Sequence, residues 1–289
     1  MESLIGVLQQ IQEIVWGPPT MILLLITGLY YTLRLGFLQF IHLPKAIRYI
    51  FEKEEGSVGD VSAFASLCTA LAATIGTGSI VGVATALRVG GPGALFWMWV
   101  SAILGMATKY AEGVLAIKYR SIDENGEVAG GPMYYIEQGM GSKWKWLAKL
   151  FAFFGAVTAL MGCGTFPQVN AITESVSNAF SVPIPLVGAV VTIATAAVVL
   201  GGIKSISSVA EFVVPLMAAF YVAASAYVLF NQSAALPGAF VLVVKSAFEP
   251  TAVAGGATGA VIVSVMTAMR TGIARGVYTN EAGLGSAPI

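Results

Sequence analysis

Thr74, Thr77, Ser79, Thr85, Thr165 and Gln168 carry hydroxyl or amide heads in two long apolar stretches that hold no acid: none occurs between Val61 and Ala111, nor between Leu150 and Thr173. A proton relay in an apolar medium needs a titrating group, so neither stretch offers one. Hydroxyls and backbone carbonyls are instead oxygen ligands for a hard cation, and the open N–H groups of a half-helix suit a carboxylate. Sodium with a small zwitterion is the simplest solute pair for such a lining. Gln168 adds an amide beside Pro167, and a buried amide left unpaired costs ~1–3 kcal/mol. Bridging two helices would use it equally well, and Ser and Thr are also ordinary packing residues in apolar helices.

The element that must position these groups is the stretch Thr74-Ile-Gly-Thr-Gly-Ser-Ile-Val-Gly-Val-Ala84, set in an uncharged run of 27 residues from Val61 to Leu87. About 20 apolar residues cross a bilayer core as a helix. Yet Gly76 and Gly78 flank Thr77 near the middle of the run, and each glycine costs a helix interior ~1 kcal/mol relative to alanine. Backbone freed by a break is tolerated in lipid only where it is buried in protein or lines a wet cavity, which makes a glycine-weakened midplane helix a pointer to a solute site. Close packing is the competing reading, because Gly78 and Gly82 form a GxxxG pair that lets helices approach without any break.

Composition fixes the class. Charged residues are 10% of the chain and apolar ones 57%, against ~25% charged in soluble domains, so the chain reads as an all-α integral membrane protein. Zero net charge gives no case for nucleic acid. Cys68 and Cys163 both fall inside apolar runs, which argues against a disulfide framework or a metal cluster. His42, the single histidine, reads as a surface residue beside a membrane end. No nucleotide, metal or nucleophile motif appears, so neither enzymatic chemistry nor a cofactor is expected. Nothing at the N-terminus reads as a secretion leader.

Along the chain, residues 1–16 predict an amphipathic interfacial helix. Residues 17–60 hold a first span, Thr20 to Phe40, and a charged loop. Spans are then expected at Val61–Leu87, Ala94–Ile117, Leu150–Thr173, Pro183–Leu200 and Val209–Phe230, with residues 118–146 as a polar loop and Lys109–Glu112 as an ion pair near a membrane edge. Two placements fit the last segment: a span from Pro250 to Met269, or a deeper one centred on Thr271 and Gly272. Of the 13 Lys and Arg outside that segment, 11 fall on one side if the N-terminus lies outside, and the positive-inside bias selects that orientation. The Gly-Thr-Gly helix and the last helix then run in opposite senses.

Five motifs share an order with one known family: Gly76-Thr-Gly-Ser-Ile-Val-Gly-Val-Ala84, Gly90-Gly-Pro-Gly-Ala-Leu-Phe-Trp-Met-Trp99, Gly105-Met-Ala-Thr-Lys-Tyr-Ala-Glu112, Gly130-Gly-Pro-Met-Tyr-Tyr135 and Arg275-Gly-Val-Tyr-Thr-Asn-Glu-Ala-Gly-Leu-Gly-Ser-Ala-Pro288. Together they resemble the alanine or glycine:cation symporter family. The resemblance implies a LeuT-like core of two inverted five-helix repeats behind one extra N-terminal helix, in a cell membrane, with sodium-coupled uptake of alanine or glycine. Residues 61–230 would be the first repeat, and residues 231–289 an external connection and the first helix of an incomplete second one, truncated after the sixth core helix. Gly76, Thr77, Gly78 and Ser79 would meet the amino acid and Gln168 would reach it from the side. Thr271, Gly272 and Ile273 would form a second helix break, and Thr74 and Thr77 would serve the cation. Arg275 and Glu281 would pair. Ser79 stands where the family's motif has Asn.

Overall fold

Glycine and proline decide where most of the helices begin and end. The computed structural model describes residues 2–52, 61–122, 124, 128–162, 164–255 and 259–286. Helix α1 (Glu2–Val15) ends just before Gly17, and two prolines open α2 (Pro18–Arg34), where the N–H groups they lack would have no helical partner. Gly36 (φ 63°) and Phe37 (φ 57°) then enter the left-handed region, so α2 stops short of the Phe40 that its apolar sequence predicts. Helices α3 (Leu38–Ile41) and α4 (Leu43–Phe51) follow. The run from Val61 is two helices, α5 (Ala63–Thr74) and α6 (Thr77–Gly90), and the next span is α7 (Gly93–Lys118). Ser62 caps α5, its Oγ accepting the Ala65 N–H at 3.1 Å.

Three expectations need correction. The stretch 118–146 is not all loop: β1 (Ser121–Ile122) pairs antiparallel with β2 (Val128–Ala129), and Pro132 opens α8 (Pro132–Met140). The run Leu150–Thr173 is also two helices, α9 (Lys145–Leu160) and α10 (Thr165–Phe180), separated at Gly162 (φ 62°). Pro167 therefore lies in the first turn of α10, where its missing N–H breaks no ladder. After α11 (Ile184–Val199), α12 (Gly202–Asn231) and α13 (Leu236–Ser246), the chain forms a hairpin of β3 (Thr251–Gly255) and β4 (Gly259–Val263) before α14 (Val265–Asn280). A helical span from Pro250 to Met269 is thereby excluded, while the chain as a whole is mostly helical, consistent with an all-α membrane protein. Stiff β-branched Val253, Val261, Ile262 and Val263 favour strand there, while Gly255 and Gly259 weaken any helix.

Among the described residues, five helical stretches are long and apolar enough to cross a bilayer: Ile5–Arg34, Ala63–Gly90, Gly93–Lys118, Ser142–Phe180 and Gly202–Asn231. Ile184–Val199 is apolar but shorter. Leu160, Leu200 and Phe212 are 86%, 88% and 77% exposed, a surface that water would not tolerate and lipid would.

The helices form two compact units. The first comprises residues 1–43, 78–111 and 223–284. Its core joins Met21 to Ile273 and Val277, with Trp16, Leu24 and Trp97 around them. Gly272 and Gly276, one turn apart on α14, sit against α7: a Cβ on Gly272 would run into the Ala94 carbonyl oxygen and lie 2.7 Å from Trp97 Cβ, and one on Gly276 would meet Ser101 Oγ. The α13 helix packs at the start of α7, where Trp97 Nε1 donates to the Ala247 carbonyl at 3.3 Å. The second unit comprises residues 44–77, 112–222 and 285–289. There Cys68 of α5 packs against Ala210 and Val214 of α12, α8 lies on α9, and α10 on α11.

Gly272→Ala is expected to lower stability by ~1–3 kcal/mol, the usual cost of overpacking. Gly113→Ala, whose Cβ would meet nothing within 4 Å, should match the parent or gain up to ~1 kcal/mol from helix propensity. Denaturant midpoints in detergent micelles compare the two, and equal midpoints would contradict the packing described.

Candidate functional site

The α5–α6 break is local and well defined. The Ile75 N–H donates to the Leu71 carbonyl at 2.7 Å, which closes the last turn of α5, and Ile75 then leaves helical geometry at φ −87°, ψ 79°. Helical order resumes at Thr77. A helix end leaves its last carbonyls without ladder partners and a helix start leaves its first N–H groups without them, so the end of α5 supplies carbonyls, and the start of α6 N–H groups, that lie outside the ladders. The Thr74 hydroxyl donates to the Ala70 carbonyl at 3.0 Å.

In the second unit, Gln168 comes to this break. A Cβ built on Gly76 would lie 3.9 Å from Gln168 Nε2 and 4.0 Å from its Cδ. Sequence analysis singled out both residues. The Gln168 side chain, in the first turn of α10, is exposed and lies within an apolar stretch long enough to cross a bilayer. The Thr85 hydroxyl is satisfied within α6, donating to the Val81 carbonyl at 2.7 Å, and Thr165 is exposed.

In the first unit, the start of α6 meets the end of α14. A Cβ on Gly78 would lie 3.4 Å from Tyr278 Cδ1 and 3.5 Å from Thr279 Oγ1, and one on Gly90 would lie 2.9 Å from Thr271 Cβ. The two helices therefore run antiparallel, as the sequence reading requires. Thr279 Oγ1 is buried and has no hydrogen-bond partner among the described residues, so this corner holds a polar atom still to be satisfied. Tyr278 and Thr279, the neighbours of Gly78, were not singled out from the sequence, where only the family motif around them marks them. Lys109 donates to the Asn280 carbonyl at 3.2 Å, a cation at the C-terminus of α14 where the helix dipole favours it. Glu112 is buried, 8% exposed.

The second expected break is absent. Helix α14 is continuous through Thr271, Gly272 and Ile273, with Gly272 packed on α7 and Ile273, at 1% exposure, in the core. Arg275 makes no ion pair with Glu281, and the described residues offer it no other partner. The expected site residues divide between the units, Thr74, Gly76, Thr77 and Gln168 in the second and Gly78, Ser79 and Thr271–Ile273 in the first. No group of three or more His, Cys, Asp or Glu side chains able to hold a metal occurs among the described residues.

The sequence profile of the sodium:alanine symporter family matches residues 1–289. The chain belongs to this family. Similar relatives include an uncharacterized transporter of Haemophilus influenzae, 54% identical over 98% of this chain and 61% of its own length. The sodium/alanine symporter AgcS of Methanococcus maripaludis is 50% identical over 99% of the chain and 62% of its own length. The probable sodium/glutamine symporter GlnT of Bacillus subtilis is 37% identical over the whole chain and 58% of its own length. This member thus spans about three-fifths of the relatives it matches. It is a multi-pass membrane protein of a transporter family, with sodium and alanine as the family's solutes.

Gly76→Ala is expected to slow amide exchange at Gly76 and Thr77 about fivefold, since it biases the break toward helix by ~1 kcal/mol. Its methyl group would meet nothing closer than 3.9 Å, so a clash cannot produce the change. Hydrogen–deuterium exchange of the purified chain measures it, and unchanged exchange would mean that the break does not depend on Gly76.

Proposed function

We propose that this chain binds a small neutral amino acid, alanine or glycine, together with sodium, and carries both inward by alternating access. The observation that supports this most is the Gln168 amide lying beside Gly76, where an apolar chain gives up its helical hydrogen bonds. In this reading the N–H groups from Gly76 to Ser79 hold the substrate carboxylate, and the Gln168 carbonyl accepts from its ammonium. Thr74 and Thr77 hydroxyls, with the freed carbonyls at the end of α5, ligate sodium. Carboxylate and sodium attract strongly in a medium of low dielectric constant, so each raises the affinity of the other. Thr271 borders the same helix, α6, whereas Gly272 and Ile273 are better explained as packing residues.

The architecture proposed is a LeuT-like inverted-repeat core with the N-terminus outside the cell membrane. Helices α5–α6, α7, α9–α10, α11 and α12 would make up the five passes of its first repeat, and rocking of one bundle against another would alternate access. Ser79 is shorter than the Asn of the family's motif and leaves room beside the first turn of α6, so glutamine, for which one relative is named, is the competitor to test. The chain spans 61% and 62% of the length of two of the relatives.

Counter-flow of labelled alanine into vesicles should depend on sodium, and uptake indifferent to the sodium gradient would contradict symport. Gln168→Ala should weaken alanine binding at least tenfold, because a hydrogen bond to a charged group is worth ~1.5–3 kcal/mol. Ser79→Asn should shift the ratio of alanine to glycine affinity, and an unaltered ratio would remove Ser79 from the site.

A further inference from the structure

Arg270 and Arg275 stand outside that reading, and we propose that they form a binding site for the phosphate oxyanion of an anionic lipid headgroup. Both line one cavity of about 630 Å³ within the first unit. Arg270, Thr271, Arg275 and Tyr278 recur at helical spacing along one face of α14, while Gly272 and Gly276 on the opposite face pack against α7. Gln12 of α1 and Trp16 also line the cavity. Each arginine is half-buried, and among the described residues neither has an ion-pair or hydrogen-bond partner.

Two like charges in one apolar cavity repel and are poorly hydrated, a costly arrangement unless an anion joins them. Guanidinium groups present planar donor forks matched to phosphate oxygens. The Gln12 amide, the Thr271 hydroxyl and the Tyr278 phenol add neutral donors. Most of the remaining wall is methionine, valine and alanine, against which a free ion gains nothing but an acyl chain buries surface. Basic pockets between membrane helices hold headgroups in this way, and a tryptophan at the rim is at home at headgroup depth.

The test is thermal unfolding of the purified chain in nanodiscs of phosphatidylcholine, with and without phosphatidylglycerol. Phosphatidylglycerol should raise the midpoint of the parent and of Lys149→Gln, an exposed cation on α9 removed as a charge control. The double variant Arg270→Gln/Arg275→Gln should lose the shift. Arg270→Lys/Arg275→Lys, which keeps the charge and guards against a folding failure of the glutamine pair, should retain part of it. A full shift in the glutamine variant would overturn the site. Inorganic phosphate added to phosphatidylcholine discs should give no comparable shift, and equal stabilisation by the free ion would overturn the lipid assignment.

Discussion

The structure depends on how an apolar chain satisfies its own backbone. Within α5 and α6 every ladder hydrogen bond is internal, which is what permits these residues to lie in lipid at all. Between Thr74 and Thr77 that arrangement lapses, and the orphan carbonyls and N–H groups face a cost of several kcal/mol each unless something meets them. The surrounding packing keeps the lapse in place. Within one unit α5 is fixed by Cys68 against Ala210 and Val214, and within the other α6 is fixed by Ala86 beside Ala94 and Met98. Each flank is anchored within its own unit. In the function proposed, a solute with a carboxylate, an ammonium and a companion cation would meet the groups that the ladder leaves between Thr74 and Thr77.

Glycine plays two opposed roles here. At Gly76 its lack of a side chain weakens a helix where nothing presses on it, since the nearest non-local atom to an added Cβ is 3.9 Å away. At Gly272 the same lack allows the Ala94 carbonyl to come so close that a methyl group could not fit, and the helix there is unbroken. The first glycine creates an opening and the second closes one. Their local sequences, Thr-Ile-Gly-Thr-Gly and Arg-Thr-Gly-Ile-Ala, do not separate the two cases.

That ambiguity explains what was and was not legible in the sequence. The membrane class and the α5–α6 break follow from hydropathy and from paired glycines in an uncharged run, and Gln168 stands out as an amide in an acid-free stretch, but its place beside Gly76 comes from tertiary structure. The interruption of the apolar run Leu150–Thr173 at Gly162 was hidden because no charge marks it, so the first-turn position of Pro167 in α10 was not legible. The hairpin at Thr251–Val263 was hidden for the opposite reason: valine and isoleucine suit a membrane helix and a strand alike, and local glycines tip the balance. Tyr278 and Thr279 reach Gly78 only through tertiary contact, which spacing along the chain does not report.

Hydrogen–deuterium exchange across residues 72–80, measured with sodium, with alanine, with both and with neither, tests the central claim most directly. The amides from Gly76 to Ser79 should exchange fast in the absence of solutes and slow markedly only when both are present. Slow, ligand-independent exchange there, equal to that in the middle of α5, would mean the backbone is already satisfied and holds no amino acid.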